Sequence, residues 1–497
     1  MRVRLRFVVD AYKNQLGFKR NRGECIGGHP VHPPVVIHGN NRYPGGKSRH
    51  CASELILSCA HKPFCSPGVR EKLSEFYHEP RISRPGSASA IICVQYCVAE
   101  SLRLLADALV GPNPGKLSER CEVPTFARED ACEWMRCPDQ DLPQLLGRAQ
   151  ALRSQFKPGM ITYSRKVFIP LTNLCRDYCG YCIFRRDPGQ PGAHTMTPEE
   201  VLAVARAGER LGCTEALFSL GDKPEMLFPE MRETLRKLGY NSTLHYLEAM
   251  CELVLRETSL LPHPNPGLMS AEWISRLSAV SPSMGLMLET TNDTLLAPGA
   301  AHDNAPDKLP SKRLRTIEEA GKQGVPFTTG ILVGIGETVE DRVNSLLAIR
   351  ELHERYGHIQ EVIIQNFRAK PGIPMQASPE PGRNLMLRTL AVARLLMPGM
   401  NIQAPPNLSD PDYEELLDGG INDWGGVSPL TPDFINPERP WPHLKELEER
   451  TRRKGFQLRQ RLPVYPEFLP RLRSARELLL AKLKASADPG GLARQAA

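Results

Sequence analysis

Apolar positions change their rhythm near Leu145. Beyond it, short apolar runs alternate with stretches in which apolar residues recur every three or four positions. KVFIPLT, from Lys166 to Thr172, predicts a buried strand that leads directly into a group of cysteines. ALFSLGD, SMGLMLET, VPFTTGILVGIG, EVIIQNF and NIQAPP predict further strands. The helix after the cysteines has a strong start signal. Thr197 is a good N-cap, Pro198 takes the first helical position, and Glu200 completes a capping box. Val201, Val204, Ala205 and Leu211 then keep the helical period. RLRTIEEAGKQG and DRVNSLLAIRELHERYG predict helices between the later strands. Repeated βα units place the chain in the α/β class with a parallel sheet. The right-handed crossover rule makes a (β/α) TIM-type barrel, partial or complete, the economical closure. After Trp441 a charged helical tail follows, interrupted by RLPVYPEFLP.

The first 140 residues show no sustained period and are rich in Gly, Pro, Arg and scattered Cys. Three readings compete for them: an Arg-rich, acid-poor organelle-targeting arm, a disordered arm, or sequence upstream of the true start. The expected organisation is therefore an irregular extension over 1–140, a barrel over 141–440 and a C-terminal helical tail over 441–497. The net charge of +7 is concentrated at the start, where the first seventy residues hold twelve Lys and Arg against Asp10, Glu24 and Glu54. The bulk of the chain is near neutral, which argues against a nucleic-acid partner. No apolar run reaches the roughly 18 residues of a membrane span. Cytoplasm is the default location, with an organelle the expectation if the arm is a transit peptide.

All fourteen cysteines precede residue 252. In a large chain that placement fits a reduced compartment with one metal site better than a disulfide framework. Cys93 and Cys97 in CVQYC have the pattern of ordinary thiols. PLTNLCRDYCGYCIF places Cys175, Cys179 and Cys182 at C-x3-C-x2-C spacing just after a predicted strand, where barrel enzymes carry their active-site loops. A cubane cluster has four irons, so three thiolates on one loop leave one iron open to a ligand. The competing reading is a structural zinc or a closed cluster with Cys213 or Cys251 as a distant fourth ligand.

Cys175, Cys179, Tyr181 and Cys182 resemble the signature of the radical S-adenosylmethionine (SAM) superfamily. That resemblance implies a 4Fe-4S cluster whose open iron is chelated by SAM, and reductive cleavage of the sulfonium to a 5′-deoxyadenosyl radical. Seven ordered segments narrow it: YSRKVFIPLTNLCRDYCGYCIF, FSLGDKPE, LLPHPNPGLMS, SMGLMLET, TTGILVGIGET, QNFRAKPGIPM and GINDWGGVSPLTPDFINPERPWP. From about Tyr163 to Pro466 the chain resembles the 7,8-didemethyl-8-hydroxy-5-deazariboflavin synthase family. The resemblance implies a carbon–nitrogen lyase that cyclises 5-amino-5-(4-hydroxybenzyl)-6-(D-ribitylimino)-5,6-dihydrouracil, with loss of ammonia, to a deazaflavin. Methionine and 5′-deoxyadenosine are the implied by-products. The only cysteines after Cys182 are Cys213 and Cys251, so the cyclising half alone is expected. It would rely on a partner radical SAM enzyme for its substrate and on an electron donor such as ferredoxin or flavodoxin.

By the same resemblance Gly221, Asp222 and Glu225, after the second strand, are candidate cofactor contacts; an ordinary βα turn is the competing reading. Glu289 is a candidate for the cofactor's ribose or amino acid part, or a helix cap. Tyr181 is placed beside the adenine or as loop filling, and Ile331 and Val333 as adenine-pocket wall or plain strand. Arg368, Asn407, Asn422 and Asp423 fall on later loops expected to face the same mouth, as substrate contacts or solvated surface. His263, between two prolines, is an acid–base candidate or a structural histidine. Trp424 either walls the pocket or closes the barrel. Rival functions are another radical SAM reaction, of a menaquinone-pathway or biotin-synthase-like kind, and a non-catalytic metal- or nucleic-acid-binding protein.

Overall fold

The computed structural model describes residues 126–409 and 411–494; the segment over 1–125, with its competing readings and Cys93 and Cys97, lies outside the described residues. Among the described residues nine strands form one all-parallel sheet: β1 (Met160–Thr172), β2 (Glu215–Leu220), β3 (Leu261–Asn265), β4 (Met284–Gly285), β5 (Phe327–Val333), β6 (Ile359–Asn366), β7 (Ile402–Gln403), β8 (Asp423–Val427) and β9 (Gln457–Gln460). Their order is β3-β2-β1-β8-β7-β6-β5-β4, with β9 added beside the start of β1. This is the circular order of a (β/α) barrel whose ladder is open between β3 and β4. Helices such as Pro198–Arg210, Thr243–Glu257, Pro310–Lys322, Val339–Tyr356 and Arg383–Leu396 cover the outside. The Thr197 capping box forms as expected: the hydroxyl accepts from the Glu200 N–H, and the Glu200 carboxylate accepts from the Thr197 N–H at 2.8 Å. No helix among the described residues is long and apolar enough to cross a membrane.

The gap has a local cause. The Leu261 N–H bonds the Thr214 carbonyl, so Leu261, His263 and Asn265 turn their amides to the β2 side. Pro262 and Pro264 fall on the alternate positions, which face β4, and have no N–H to offer. Those prolines also explain why hydrophobic pattern alone gave no strand here. Conversely β4 is two residues long where SMGLMLET suggested a full strand. Gly285 ends it, and Glu289 makes only an isolated bridge to Ile331.

Two further differences concern the ends. A helix at Arg128–Met135 and another at Leu142–Phe156 pack on the barrel, so regular structure begins before the change of texture near Leu145. The tail is less helical than its charge suggested. Besides helices Leu444–Arg453 and Glu477–Ser486 it supplies β9. It also inserts Arg461 into the narrow end of the barrel.

That arginine organises the floor. Its Nε lies 2.7 Å from Asp423 and its Nη2 2.7 Å from Glu361, while the Tyr465 hydroxyl donates to Glu361 at 2.9 Å. All of these side chains are almost fully buried. Removing one member of such a group strands the opposite charge in a low-dielectric interior. Arg461→Ala is expected to cost about 3–5 kcal/mol of folding free energy, measured as a lower urea midpoint; an unchanged midpoint contradicts this account of the floor.

Candidate active site

Alternate residues of each strand face the lumen. Lys166 and Phe168 of β1, Glu215, Leu217 and Ser219 of β2, His263 and Asn265 of β3, and Glu361, Ile363 and Gln365 of β6 line it. An upper cavity of about 260 Å³ opens at the carboxyl ends of the strands, and Cys175, Cys179, Tyr181 and Cys182 form one side of it. A lower cavity of about 210 Å³ adjoins it and shares Ser219, Asn265, Leu286, Met287 and Gln365 as wall.

The cysteine loop is sewn to the end of β2. Cys175 Sγ accepts the N–H of Asp222 at 3.2 Å and that of Asp177 at 3.4 Å, and the Arg176 N–H returns to the Asp222 carbonyl. Gly221 makes the approach feasible: a Cβ there would collide with the Leu174 carbonyl and lie 2.7 Å from Cys175 Cβ. The three cysteines are free thiols. Burial pushes the Cys175 thiol up to about 12 and raises Cys179 well above the usual thiol range, so the protein alone keeps both protonated. A donor set of three thiols on one loop, two of them needing a cation to become thiolates, fits an iron–sulfur cluster.

Opposite the loop stands Glu289, at the end of the β4 segment with φ of 67°, a left-handed conformation unusual for a side-chain-bearing residue. Its N–H bonds the Gly330 carbonyl and its own carbonyl accepts from Leu332, which fixes the bend. Its carboxylate accepts from the Tyr181 hydroxyl and Lys308, lies 3.0 Å from His302 Nε2 and 3.6 Å from Arg313. Burial alone would raise this carboxyl, but Lys308, His302 and Arg313 hold it well below the usual range. Tyr181 therefore anchors the last turn of the cysteine loop to the segment that follows β4, a role its place in the motif did not reveal. Burial, with Cys179 and Glu289 nearby, raises its phenol strongly, so it is a neutral donor.

Near the rim Asp177, Asp222 and Asp307 bring their carboxylates within 4.8 Å of one another. Arg176, Lys223 and Lys312 stand beside them, with Arg176 at 3.0 Å from Asp307 and Lys223 at 2.7 Å from Asp222. Burial raises Asp177 to about 6. Asp177 was not singled out from the sequence, although its place at the centre of C-R-D-Y-C is a signal that could have found it. Lys308 and His302 gave no such signal, because AHDNAPDKLP carries no periodicity, and Arg313 opened the expected helix RLRTIEEAGKQG with nothing to mark it as a site residue.

Other expected residues separate. Arg368 lines the upper cavity, held at 3.0 Å by Glu380. Glu225 does not line it: its carboxylate accepts the Thr243 N–H at 3.0 Å and the Thr243 hydroxyl at 2.5 Å, at the start of helix Thr243–Glu257. Asn407 is buried behind the wall and donates to Asp433 and to the Arg439 carbonyl. Asn422 and Asp423 are at the wrong end. Asp423 is the first residue of β8, so both lie at the floor, where Asn422 bonds Arg394 and the Ile402 N–H and Asp423 pairs with Arg461. The paired glycines of DWGGV suggested a loop, but they are strand. Trp424 packs away from the cavity, its indole N–H on Thr451 and its ring edge-on to Tyr413. Ile331 and Val333 are buried in the hydrophobic core and line neither cavity.

Comparison with known proteins follows this geometry. Residues 169–349 match the Radical SAM superfamily model. The 7,8-didemethyl-8-hydroxy-5-deazariboflavin synthase of Methanopyrus kandleri is 48% identical over 63% of this chain and 93% of its own length. The chain belongs to the deazariboflavin synthase family. The FO synthase of Streptomyces coelicolor is 51% identical over 70% of this chain but only 41% of its own length, so the chain spans about two fifths of that longer relative. Two solved structures share the fold. Methylornithine synthase (PylB) aligns with TM-score 0.54 at 18% identity, covering 67% of this chain and 94% of its own. The hydrogenase maturase HydG of Carboxydothermus hydrogenoformans aligns with TM-score 0.56 at 19% identity, covering 80% and 94%. The radical SAM assignment thus rests on sequence, the barrel is shared with both solved structures, and the partial closure is that of the radical SAM fold.

Two variants test the site. Gly221→Ala should drive the cysteine loop off β2 and lower the iron bound after anaerobic reconstitution severalfold; full iron content would contradict the seam. Glu289→Gln should cost about 3 kcal/mol at pH 7, since Lys308 and Arg313 lose their partner. The carboxyl's folded pKa is depressed, so its contribution is present above the unfolded value of about 4.3 and is lost as pH falls below it. The gap between variant and wild type should therefore narrow in acid denaturation curves below about pH 4.

Proposed function

We propose that this chain is a deazaflavin-forming radical SAM lyase that closes 5-amino-5-(4-hydroxybenzyl)-6-(D-ribitylimino)-5,6-dihydrouracil to 7,8-didemethyl-8-hydroxy-5-deazariboflavin with loss of ammonia. The observation that carries this reading is the cysteine triad at the mouth of a lumen in a chain that covers nearly the whole of a named deazariboflavin synthase. Cys175, Cys179 and Cys182 would hold the 4Fe-4S cluster, leaving one iron for SAM. When bound, the cluster and SAM supply an electron and then a 5′-deoxyadenosyl radical that removes a hydrogen atom from the substrate.

The chain's own part is to position and to exclude water. Gly221 and Asp222 bring backbone N–H groups to the cluster loop. Tyr181, through Glu289, fixes the side of the loop that faces the lumen. Lys308 and Arg313 give this wall positive charge that suits a carboxylate, and the aspartates at the rim suit an amine; SAM carries both on its methionyl end. Arg368 and Gln365 sit further along the same wall, within reach of a polar substrate. The substrate is the product of a second radical SAM enzyme, separate from this segment, and ferredoxin or flavodoxin is the class of electron donor.

Anaerobically reconstituted protein, given SAM, reductant and this substrate, should release 5′-deoxyadenosine, methionine and a fluorescent deazaflavin. Cys182→Ala should abolish all three. Absence of 5′-deoxyadenosine from the intact enzyme, or its formation without deazaflavin, would overturn the assignment.

A further inference from the structure

His263 is buried in the lower cavity wall, and its hydrogen bonds determine its tautomer. Its Nδ1 lies 2.7 Å from the Ser283 hydroxyl, and that hydroxyl lies 2.7 Å from the Pro463 carbonyl. A carbonyl only accepts, so Ser283 spends its single proton on Pro463. Nδ1 must then be the donor to Ser283, and Nε2 is left as a bare acceptor. Burial lowers the imidazole to about 4 against the opposing pull of Glu215, so the ring is neutral near pH 7.

No donor among the described residues meets Nε2. Residue 285 beside it is glycine, and a Cβ there would stand 3.2 Å from Nε2 and crowd it. The neighbouring ion pair is closed on itself, with Lys166 at 2.8 Å from Glu215 and Ser164 also donating to Glu215. The lone pair is accessible from the cavity, so a ligand that displaces water from it must supply a donor of its own or lose that bond. We infer that His263 Nε2 is a substrate-binding acceptor, taking a hydrogen bond from an N–H or O–H on the uracil or ribityl part of the substrate lodged below the cluster. This deepens the proposed function and rests on it.

The test uses reconstituted holoenzyme with SAM. The probe is 7,8-didemethyl-8-hydroxy-5-deazariboflavin, which keeps the uracil N–H and ribityl hydroxyls and reports binding by its fluorescence. His263→Asn puts an amide near the Nδ1 position and removes the lumen acceptor; His263→Gln carries an amide oxygen toward the Nε2 position. His263→Asn should weaken probe binding about tenfold and raise the substrate KM with little change in kcat. His263→Gln should recover most of the loss, and cluster absorption should be unchanged in both. Ser283→Ala, which leaves the ring but releases its tautomer, should weaken binding severalfold.

Wild-type affinity in His263→Asn, or equal losses in the Asn and Gln variants, overturns the inference. Unchanged affinity in Ser283→Ala overturns it too, because the tautomer would then not be set by that serine. If wild-type holoenzyme neither binds the probe nor forms deazaflavin, the functional reading falls and takes this inference with it. A wild type that binds while His263→Asn is unaffected sinks the inference alone.

Discussion

The cysteine loop rests directly on the backbone at the end of β2, and everything built around it depends on Gly221 having no side chain. The Leu174 carbonyl and Cys175 occupy the volume a Cβ would need. That contact turns Cys175 Sγ toward the Asp222 and Asp177 amides and sets the height of the loop above the barrel. From there the second anchor follows. Tyr181 reaches across to Glu289, so the first cysteine is tied to the end of β2 and the last turn to the segment after β4. The cavity takes wall from both anchors, and neither alone would define its width.

Charge is layered along the barrel axis. At the mouth, cations and carboxylates alternate: Lys308 and Arg313 on Glu289, Arg176 and Lys223 on the aspartates. The middle is neutral and polar, with Ser219, Asn265 and Gln365 on the walls. Deeper, Lys166 holds Glu215 at about 2 despite a burial that would raise it, and Arg461 closes the floor. Full charges thus gather at both ends, while hydrogen-bonding groups without formal charge face the space between. Such a lumen suits a neutral, polyfunctional guest below an ionic cofactor.

The cysteine triad, the capping box at Thr197 and most strands were legible because each is local: a spacing, a cap or an apolar run. What escaped was decided at a distance. Pro262 and Pro264 disguise β3, yet they are tolerated because their side of the strand has no ladder partner. DWGGV looked like a turn, since two glycines carry no side chains to show a period, and that error sent Asn422 and Asp423 to the wrong end of the barrel. Glu225 was placed by its neighbours in LGDKPE, but a helix start eighteen residues later claims its carboxylate. Nothing near Arg461 in the chain announces that it fills the barrel floor, because its partners Glu361 and Asp423 are far away in sequence.

The open seam brings these threads together. Between β3 and β4 the backbone offers no continuous ladder, so side chains must hold the two edges. His263 on β3, Ser283 just before β4 and Pro463 from the tail form one chain of hydrogen bonds across the gap. Gln360 of the β6 region joins at the same Pro463 carbonyl. The tail therefore does more than plug the floor: its carbonyl fixes the serine proton, the serine fixes the imidazole proton, and the imidazole presents a lone pair to the lumen. A feature that weakens the sheet, two prolines on an edge strand, is thus what leaves room for a side-chain relay at the place where a ladder bond would otherwise run.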